Sequence, residues 1–193
     1  MCLPGKWYAP PMGNADRLAL WVRHSVAGPV THLKLQKLVF YCYGAVLAFD
    51  LEQEVGDDVR FEAWEHGPVC RTVWETYRTH GGNPIERPQG TPPSYSPRVE
   101  EVLADVLAVY GGLAPWALRQ QSHLEEPWKA TYAARTPGID PATLKAYFKQ
   151  RLTTGKVRAP EYLLQSWSLA VDGIPEPTYP SLDALARIVR RSG

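Results

Sequence analysis

Hydrophobic side chains recur at intervals of three and four residues along most of the chain, the spacing of helices that bury one face. The clearest stripe follows Ser96-Pro97, a typical helix start, and ends at Gly111. Another begins after Asn14 and stops at Gly28-Pro29, where a helix is not expected to continue. Taken along the chain, these patterns predict six to eight helices.

The segment after Gly28-Pro29 differs from the others because nearly every side of it is apolar. Thr31 is placed to cap a helix whose positions from 39 to 49 are apolar almost without a break. A helix that is apolar all round is buried all round. We therefore expect this to be the central helix of the fold, with Lys34 and Lys37 near its start on the less buried flank.

Residues 59–65 alternate between apolar and charged side chains, which is the period of a half-buried strand. We expect Gly67-Pro68 to stop this strand and Pro68 to begin the next helix. The five prolines between positions 83 and 97 predict a loop. Short helices are further expected at five places: 115–121, after a turn at 122–128, from Asp140-Pro141, 160–172 and 181–191.

The fold class expected from these elements is mainly α. It is a compact single-domain bundle of six to eight helices around a buried central helix, with a small β element near residues 59–65. A chain of 193 residues fits one domain of ordinary size. We expect an irregular N-terminal segment at 1–13, a domain at 14–155 and a C-terminal helical extension at 156–193.

The net charge of +1 gives no overall field that would hold nucleic acid or an anionic membrane. The longest apolar run, at 38–49, is too short to cross a bilayer, which needs about 20 residues. No basic segment followed by an apolar run opens the chain, and the three cysteines form no CxxC pair. We therefore expect a soluble cytoplasmic protein with reduced thiols and with neither a membrane nor a nucleic acid as partner.

Charge is uneven locally, since seven acidic residues lie between Asp50 and Glu65 against Arg60 alone. Two interpretations stay open: a solvated face, or a docking surface for a charged partner.

Seven tryptophans are many for this length, and those in the body of the chain are expected in the core more often than in contacts with a partner. Three arginines lie near them in sequence: Arg71, Arg78 and Arg119. Tryptophan and arginine together are the composition that protein interfaces favour. The residues concerned are Trp64, Trp74, Trp116 and Trp128.

No strong catalytic or metal motif occurs in the chain. It has neither GxxxxGK[ST] nor GxGxxG, and it lacks HExxH and the GxSxG elbow. We therefore expect no cofactor, no metal and no catalytic residue.

Weaker arrangements leave a small enzyme open as an alternative. Cys42, Cys70, His66 and His123 are the residue types that bind zinc, although their spacing matches no recognised zinc motif. Cys70 with His66 or His123 would provide a nucleophile and a base. His123 with Glu125 would provide an acid–base pair, but a histidine in such a turn more often caps a helix or binds backbone.

Three sequence blocks resemble a known family. Residues 31–41 read THLKLQKLVFY, residues 61–69 read FEAWEHGPV, and residues 110–128 join YGGL to SHLEEPW. Together and in this order they resemble the Panacea domain, the SocA-like antitoxin domain of a phage-associated protein family. The resemblance covers about residues 14–150, and it departs at 40–43, where FYCY stands in place of the family's Tyr-Ala-Gln.

The resemblance implies a compact helical domain of bacteria and phages that neutralises a toxin encoded beside it. We predict an antitoxin that binds its cognate toxin directly, with an acidic or aromatic surface over the toxin's active site. In the SocA branch the domain delivers its toxin to the ClpXP protease, so a proteolytic adaptor is an alternative. A DNA-binding regulator that uses the basic C-terminal helix is another.

The family has no established catalytic residues to carry over. The recurrent positions of its motifs are the candidates for partner binding or for holding the fold. They are Lys34, Lys37, Tyr41, Trp64, Gly67, Pro68, His123, Glu125, Pro127 and Trp128.

Overall fold

The computed structural model describes residues 12–153, and within them helices dominate. The predicted helices at 160–172 and 181–191, and most of the predicted irregular N-terminal segment, lie outside the described residues. The helices are α1 (Asn14–Ser25), α2 (His32–Ala48), α3 (Glu52–Val55), α4 (Arg71–Tyr77), α5 (Pro97–Tyr110), α6 (Pro115–His123), α7 (Glu126–Ala134) and α8 (Pro141–Thr153). The strands are β1 (Val30–Thr31), β2 (Glu62–Trp64), β3 (Gly67–Val69) and β4 (Pro84–Ile85).

Helix α2 is the centre of the fold, as its apolar composition predicts. The side chain of Thr31 caps it by accepting a hydrogen bond from the Lys34 backbone N–H at 3.3 Å. Every residue from 34 to 47 is buried, and the other helices pack around this rod. The expectation that Lys34 and Lys37 occupy a less buried flank is wrong, since both side chains lie inside.

Helix α8 packs closely along α2 because one position of α2 has no side chain. A methyl group at Gly44 would overlap the ring of Phe148, so only glycine allows this approach. Phe148 then meets the rings of Phe40 and Tyr41 edge-on, with centroid separations of 5.5 and 6.4 Å. Residues 141–153 are thus part of the same core as α2.

Part of the acidic stretch is used within the chain. Asp50 forms ion pairs with Lys145 at 2.6 Å and with Lys149 at 2.8 Å, and Lys145 also pairs with Glu52. These contacts join the end of α2 to the outer face of α8. The carboxylates of Asp50 and Glu52 are therefore engaged in ion pairs within the chain.

The β element is an antiparallel hairpin, which corrects the prediction of a strand followed directly by a helix. Strand β2 pairs with β3 through Glu62↔Val69 and Trp64↔Gly67. The Gly67-Pro68 pair therefore lies inside the second strand, and α4 begins only at Arg71. The predicted loop at 83–97 likewise contains β4, which pairs with β1.

No single helix within residues 12–153 is both long and apolar enough to cross a membrane; α5 and α6 meet that test only as a pair, and the chain bends by 102° between them.

Candidate functional site around the hairpin

The β2–β3 hairpin is held on α2 by two polar side chains of the buried helix. Gln36 accepts a hydrogen bond from the Cys70 backbone N–H at 2.9 Å and donates one to the Cys70 carbonyl at 3.2 Å. The next residue of the same helix, Lys37, donates from Nζ to the Pro68 carbonyl at 2.8 Å. The polar side chains of Gln36 and Lys37 thus provide hydrogen-bond partners for backbone groups of the hairpin that would otherwise be buried without them.

Gly67 is required where the hairpin meets α2 and α6. Its φ of +95° lies in the region that L side chains rarely adopt. A Cβ at this position would lie 2.5 Å from Ser122 Oγ and 2.9 Å from Lys37 Nζ. The position therefore excludes every residue with a side chain on two grounds, backbone conformation and space.

Glu125 is the centre of a buried polar cluster at the junction of α6 and α7, where only 1% of its surface is exposed. Tyr41 donates to Oε1 at 3.0 Å and Gln121 donates to the same oxygen at 2.9 Å. The other oxygen, Oε2, accepts from Tyr147 and forms an ion pair with Arg151, both from α8. The cluster ties α2, α6 and α8 to one carboxylate.

The phenols of this cluster stay protonated and act as donors. Burial, followed by the nearby Glu125 carboxylate, raises the pKa of Tyr41 well above its ordinary value. The Tyr41 ring also stacks on Tyr110 with centroids 4.2 Å apart, and Tyr110 accepts a hydrogen bond from Arg151 at 3.1 Å. The Glu125 carboxylate, the two phenols and the Arg151 guanidinium thus bond to one another inside the fold.

Three arginine–tryptophan pairs lie on the outside of the hairpin and its neighbours. Each guanidinium sits over an indole ring, at 4.5–5.5 Å from the centroid, which is cation–π geometry. The rings of Trp64 and Trp74 also meet edge-on at 5.3 Å. The pairs are Arg71 over Trp64, Arg78 over Trp74 and Arg119 over Trp116.

A stack of rings continues this arrangement along α7. Trp128 lies between His123, whose ring centroid is 4.1 Å away, and Tyr132 at 4.9 Å. Its indole N–H donates to the Trp64 carbonyl at 3.0 Å, which fixes the stack to the hairpin. We call the following set of exposed and half-buried residues the hairpin surface: Trp64, His66, Arg71, Trp74, Arg78, Trp116, Arg119, His123 and Tyr132.

His123 belongs to the stack as a neutral ring. Burial, and then the positive charges of Arg119, Lys37 and His66, lower its pKa from 6.5 to about 4. Its Nε2 is buried and has no hydrogen-bond partner among the described residues. A second proton on this ring would therefore create a positive charge that no hydrogen-bond acceptor at Nε2 stabilises.

The stability of the protein should depend on pH through this histidine. Because the pKa in the folded state lies below the 6.5 of the unfolded chain, the unfolded state binds more protons between these values. The free energy of unfolding should be highest above pH 6.5 and should fall as the pH drops towards 4. Urea unfolding from pH 4 to 7 measures this.

The matched variant is His123→Phe, which keeps a flat ring on Trp128 but cannot titrate. The free energy of unfolding of the native protein minus that of this variant should decrease as the pH falls from 6.5 to 4. A difference that stays constant across the range would contradict the assignment, because carboxylates titrate alike in both proteins.

Most candidate residues taken from the motifs lie beneath the hairpin surface and not on it. Buried are Lys34, Lys37, Tyr41, Gly67, Pro68, Glu125, Pro127 and Trp128, whereas Trp64 and His123 are half-buried. The structure brings nearly all of them into one region around the hairpin. Their geometry favours a role in holding that region in shape.

The enzyme alternatives find no support in the geometry. Glu125 is occupied by the buried cluster, while His123 stacks on an indole. Burial raises the pKa of the Cys70 thiol, whose Sγ lies 3.3 Å from the Thr72 hydroxyl. Within residues 12–153, no group of three or more His, Cys, Asp or Glu side chains could hold a metal ion.

Sequence reasoning missed several members of the hairpin surface and of the buried Glu125 cluster. Tyr132 follows Trp128 at the i+4 spacing of neighbours on a helix face, a signal that was available. Gln121 precedes Glu125 by four residues in the same way, across a helix junction. Tyr147 and Arg151 share that spacing on α8, but only the folded chain shows that both reach Glu125.

Comparison with known proteins gives one match. Residues 35–129, about half of the chain, match the family model described as antitoxin SocA-like, Panacea domain. No curated protein and no solved structure matches the chain. The matched range begins within α2 and ends within α7, so it contains the hairpin and most of the hairpin surface.

Proposed function

Because the chain belongs, through residues 35–129, to the SocA-like Panacea antitoxin family, we propose that it neutralises a cognate toxin by binding it directly through the hairpin surface. The family implies a toxin as partner and points to a non-enzymatic role. The toxin expected is the product of a neighbouring gene.

The observation that carries the proposal is the set of three arginine–tryptophan pairs on one region of the domain. Tryptophan, tyrosine and arginine dominate the energetics of protein interfaces. Here the rings are fixed in advance by stacking and by the Trp128 hydrogen bond, so binding would order few side chains. A surface held by a buried polar layer is what a rigid binding site requires, and the same layer also serves the fold.

Trp116 gives the sharpest test, because 55% of its surface is exposed and its loss should cost little stability. We expect Trp116→Ala to weaken toxin binding by about 30-fold or more, the effect of losing one central aromatic anchor. Binding is measured by titration of the purified toxin, and rescue by growth on co-expression with it.

Met12→Ala is the matched control. Met12 is 52% exposed and is not part of the hairpin surface, and α1 starts two residues later, where Asn14 donates to Asp58. This variant should bind and rescue as the native protein does. If Trp116→Ala binds as tightly as Met12→Ala, the hairpin surface is not the toxin interface.

The same co-expression separates inhibition from delivery to a protease. A direct inhibitor leaves the toxin level unchanged in a stable complex, whereas a ClpXP adaptor shortens the toxin's half-life only when the protease is present. We propose direct inhibition, and a protease-dependent loss of toxin would overturn it in favour of the adaptor.

A further inference from the structure

Four cationic or basic side chains converge where the hairpin tip meets α6. Lys37 Nζ lies beneath the tip, within 3 Å of the place where a Gly67 Cβ would be. Arg119 Nε donates to His66 Nδ1 at 3.2 Å, and Arg119 also bonds the Glu65 carbonyl. The charges of Arg119, Lys37 and His66 each lower the pKa of His123, so all three lie near that ring.

No carboxylate among residues 12–153 forms a direct ion pair with this group. Lys37 binds only a carbonyl, and burial, then Arg119, lower the pKa of Lys37 to about 7. Arg151, by contrast, pairs with the Glu125 carboxylate. The Arg119 guanidinium at the hairpin tip is therefore free of a direct ion pair with any carboxylate of residues 12–153.

The outer members of the group have donors to spare. A guanidinium carries five N–H groups, and the described residues accept hydrogen bonds from two of those of Arg119. The neutral His66 ring accepts at Nδ1, so its proton is on Nε2, and the residue is exposed. Trp116 lies under Arg119 and supplies an apolar wall, with its centroid 4.5 Å from the guanidinium carbon.

We propose that the partner bound at the hairpin surface presents an aspartate or glutamate side chain to Arg119 and His66, flanked by apolar side chains against Trp116. The inference rests on the proposed function and names the chemistry of the toxin segment that the surface recognises. A guanidinium beside an apolar wall binds a carboxylate more strongly than it does in open water, because the partner excludes solvent from the pair.

A protein carboxylate fits this region better than a nucleic-acid backbone. Exposed acidic side chains, Glu65 and Glu126, stand next in sequence to His66 and to Pro127-Trp128. Their charges would repel a strand that carries a phosphate at every nucleotide more strongly than they would repel a single carboxylate.

The test compares Arg119→Gln with Arg17→Gln in the complex with the co-expressed neighbouring gene product. Both changes remove an arginine that lies over an aromatic ring, Trp116 in one case and Tyr95 in the other. We expect Arg119→Gln to raise the Kd about 30-fold or more and to reduce its dependence on salt, while Arg17→Gln changes neither. Thermal unfolding of both variants checks that the fold is intact, and Arg119→Lys should recover part of the affinity.

Alanine substitution of each aspartate and glutamate of the toxin then locates the partner group. One of them should weaken binding to the native protein and have no further effect on Arg119→Gln. Equal affinity of the native protein and Arg119→Gln would overturn the inference and leave the antitoxin function standing. Absence of any complex with the native protein would overturn the proposed function and the inference with it. Release of the partner by nuclease would overturn the inference in favour of a bridging nucleic acid.

Discussion

Glu125→Ala should lower the free energy of unfolding by about 3–5 kcal/mol, the cost of removing one partner of a buried ion pair. The change leaves the Arg151 guanidinium in the interior without its carboxylate. It also leaves the hydroxyls of Tyr41 and Tyr147 and the Gln121 amide without their acceptor. These losses fall on one point where three helices meet, so we expect the largest destabilisation here.

The chain offers a matched control one residue away. Glu126 is exposed and pairs with Lys129 at 3.2 Å on the surface, so Glu126→Ala should change stability by no more than about 0.5 kcal/mol. Glu125→Gln should fall between the two, because the amide keeps one acceptor oxygen but replaces the other with an NH2 group and removes the charge. Urea unfolding followed by tryptophan fluorescence measures all three variants. A Glu125→Ala variant as stable as Glu126→Ala would mean that α8 does not dock through this cluster.

Gly67→Ala should be the second most damaging substitution. It places a residue with a Cβ at φ +95°, and it pushes that Cβ onto Ser122 Oγ and Lys37 Nζ. The strained backbone and the overpacking should each cost about 1–3 kcal/mol. The hairpin would have to lift from α2, so we expect toxin binding to fall together with stability.

Two further variants separate the causes. Gly28→Ala introduces the same side chain at φ +76° with nothing within 4 Å, so it reports the backbone cost alone. Ser122→Ala in the Gly67→Ala background removes the nearest atom and should restore part of the stability. If Gly67→Ala costs no more than Gly28→Ala, the contact with Ser122 and Lys37 does not restrict the hairpin.

The central helix could be predicted from sequence because its cause is local. An unbroken apolar segment after a threonine cap has only one stable location, and the structure confirms it for α2. The caps at Ser96 and Asp140 are confirmed for the same reason, since each side chain accepts from a backbone N–H three residues ahead.

The burial of Lys37 could not be predicted in this way. Its hydrogen-bond acceptor, the Pro68 carbonyl, lies 31 positions along the chain and becomes available only in β3. That strand was itself missed, because Gly-Pro is a typical break between elements and here continues the hairpin by pairing with β2. The Glu125 cluster depends on Arg151, 26 positions away, so its composition follows from tertiary packing alone.

The position of α8 has a consequence for how the chain is made. A ribosome delivers α1 to α7 before it delivers the helix that carries Arg151, and domains tend to fold as units during synthesis. Until α8 emerges, the Glu125 carboxylate lacks its ion pair with Arg151. The surface of α2 around Gly44 likewise lacks its contact with the Phe148 ring. We therefore expect the core of the nascent domain to close only after α8, its last described helix, has left the exit tunnel.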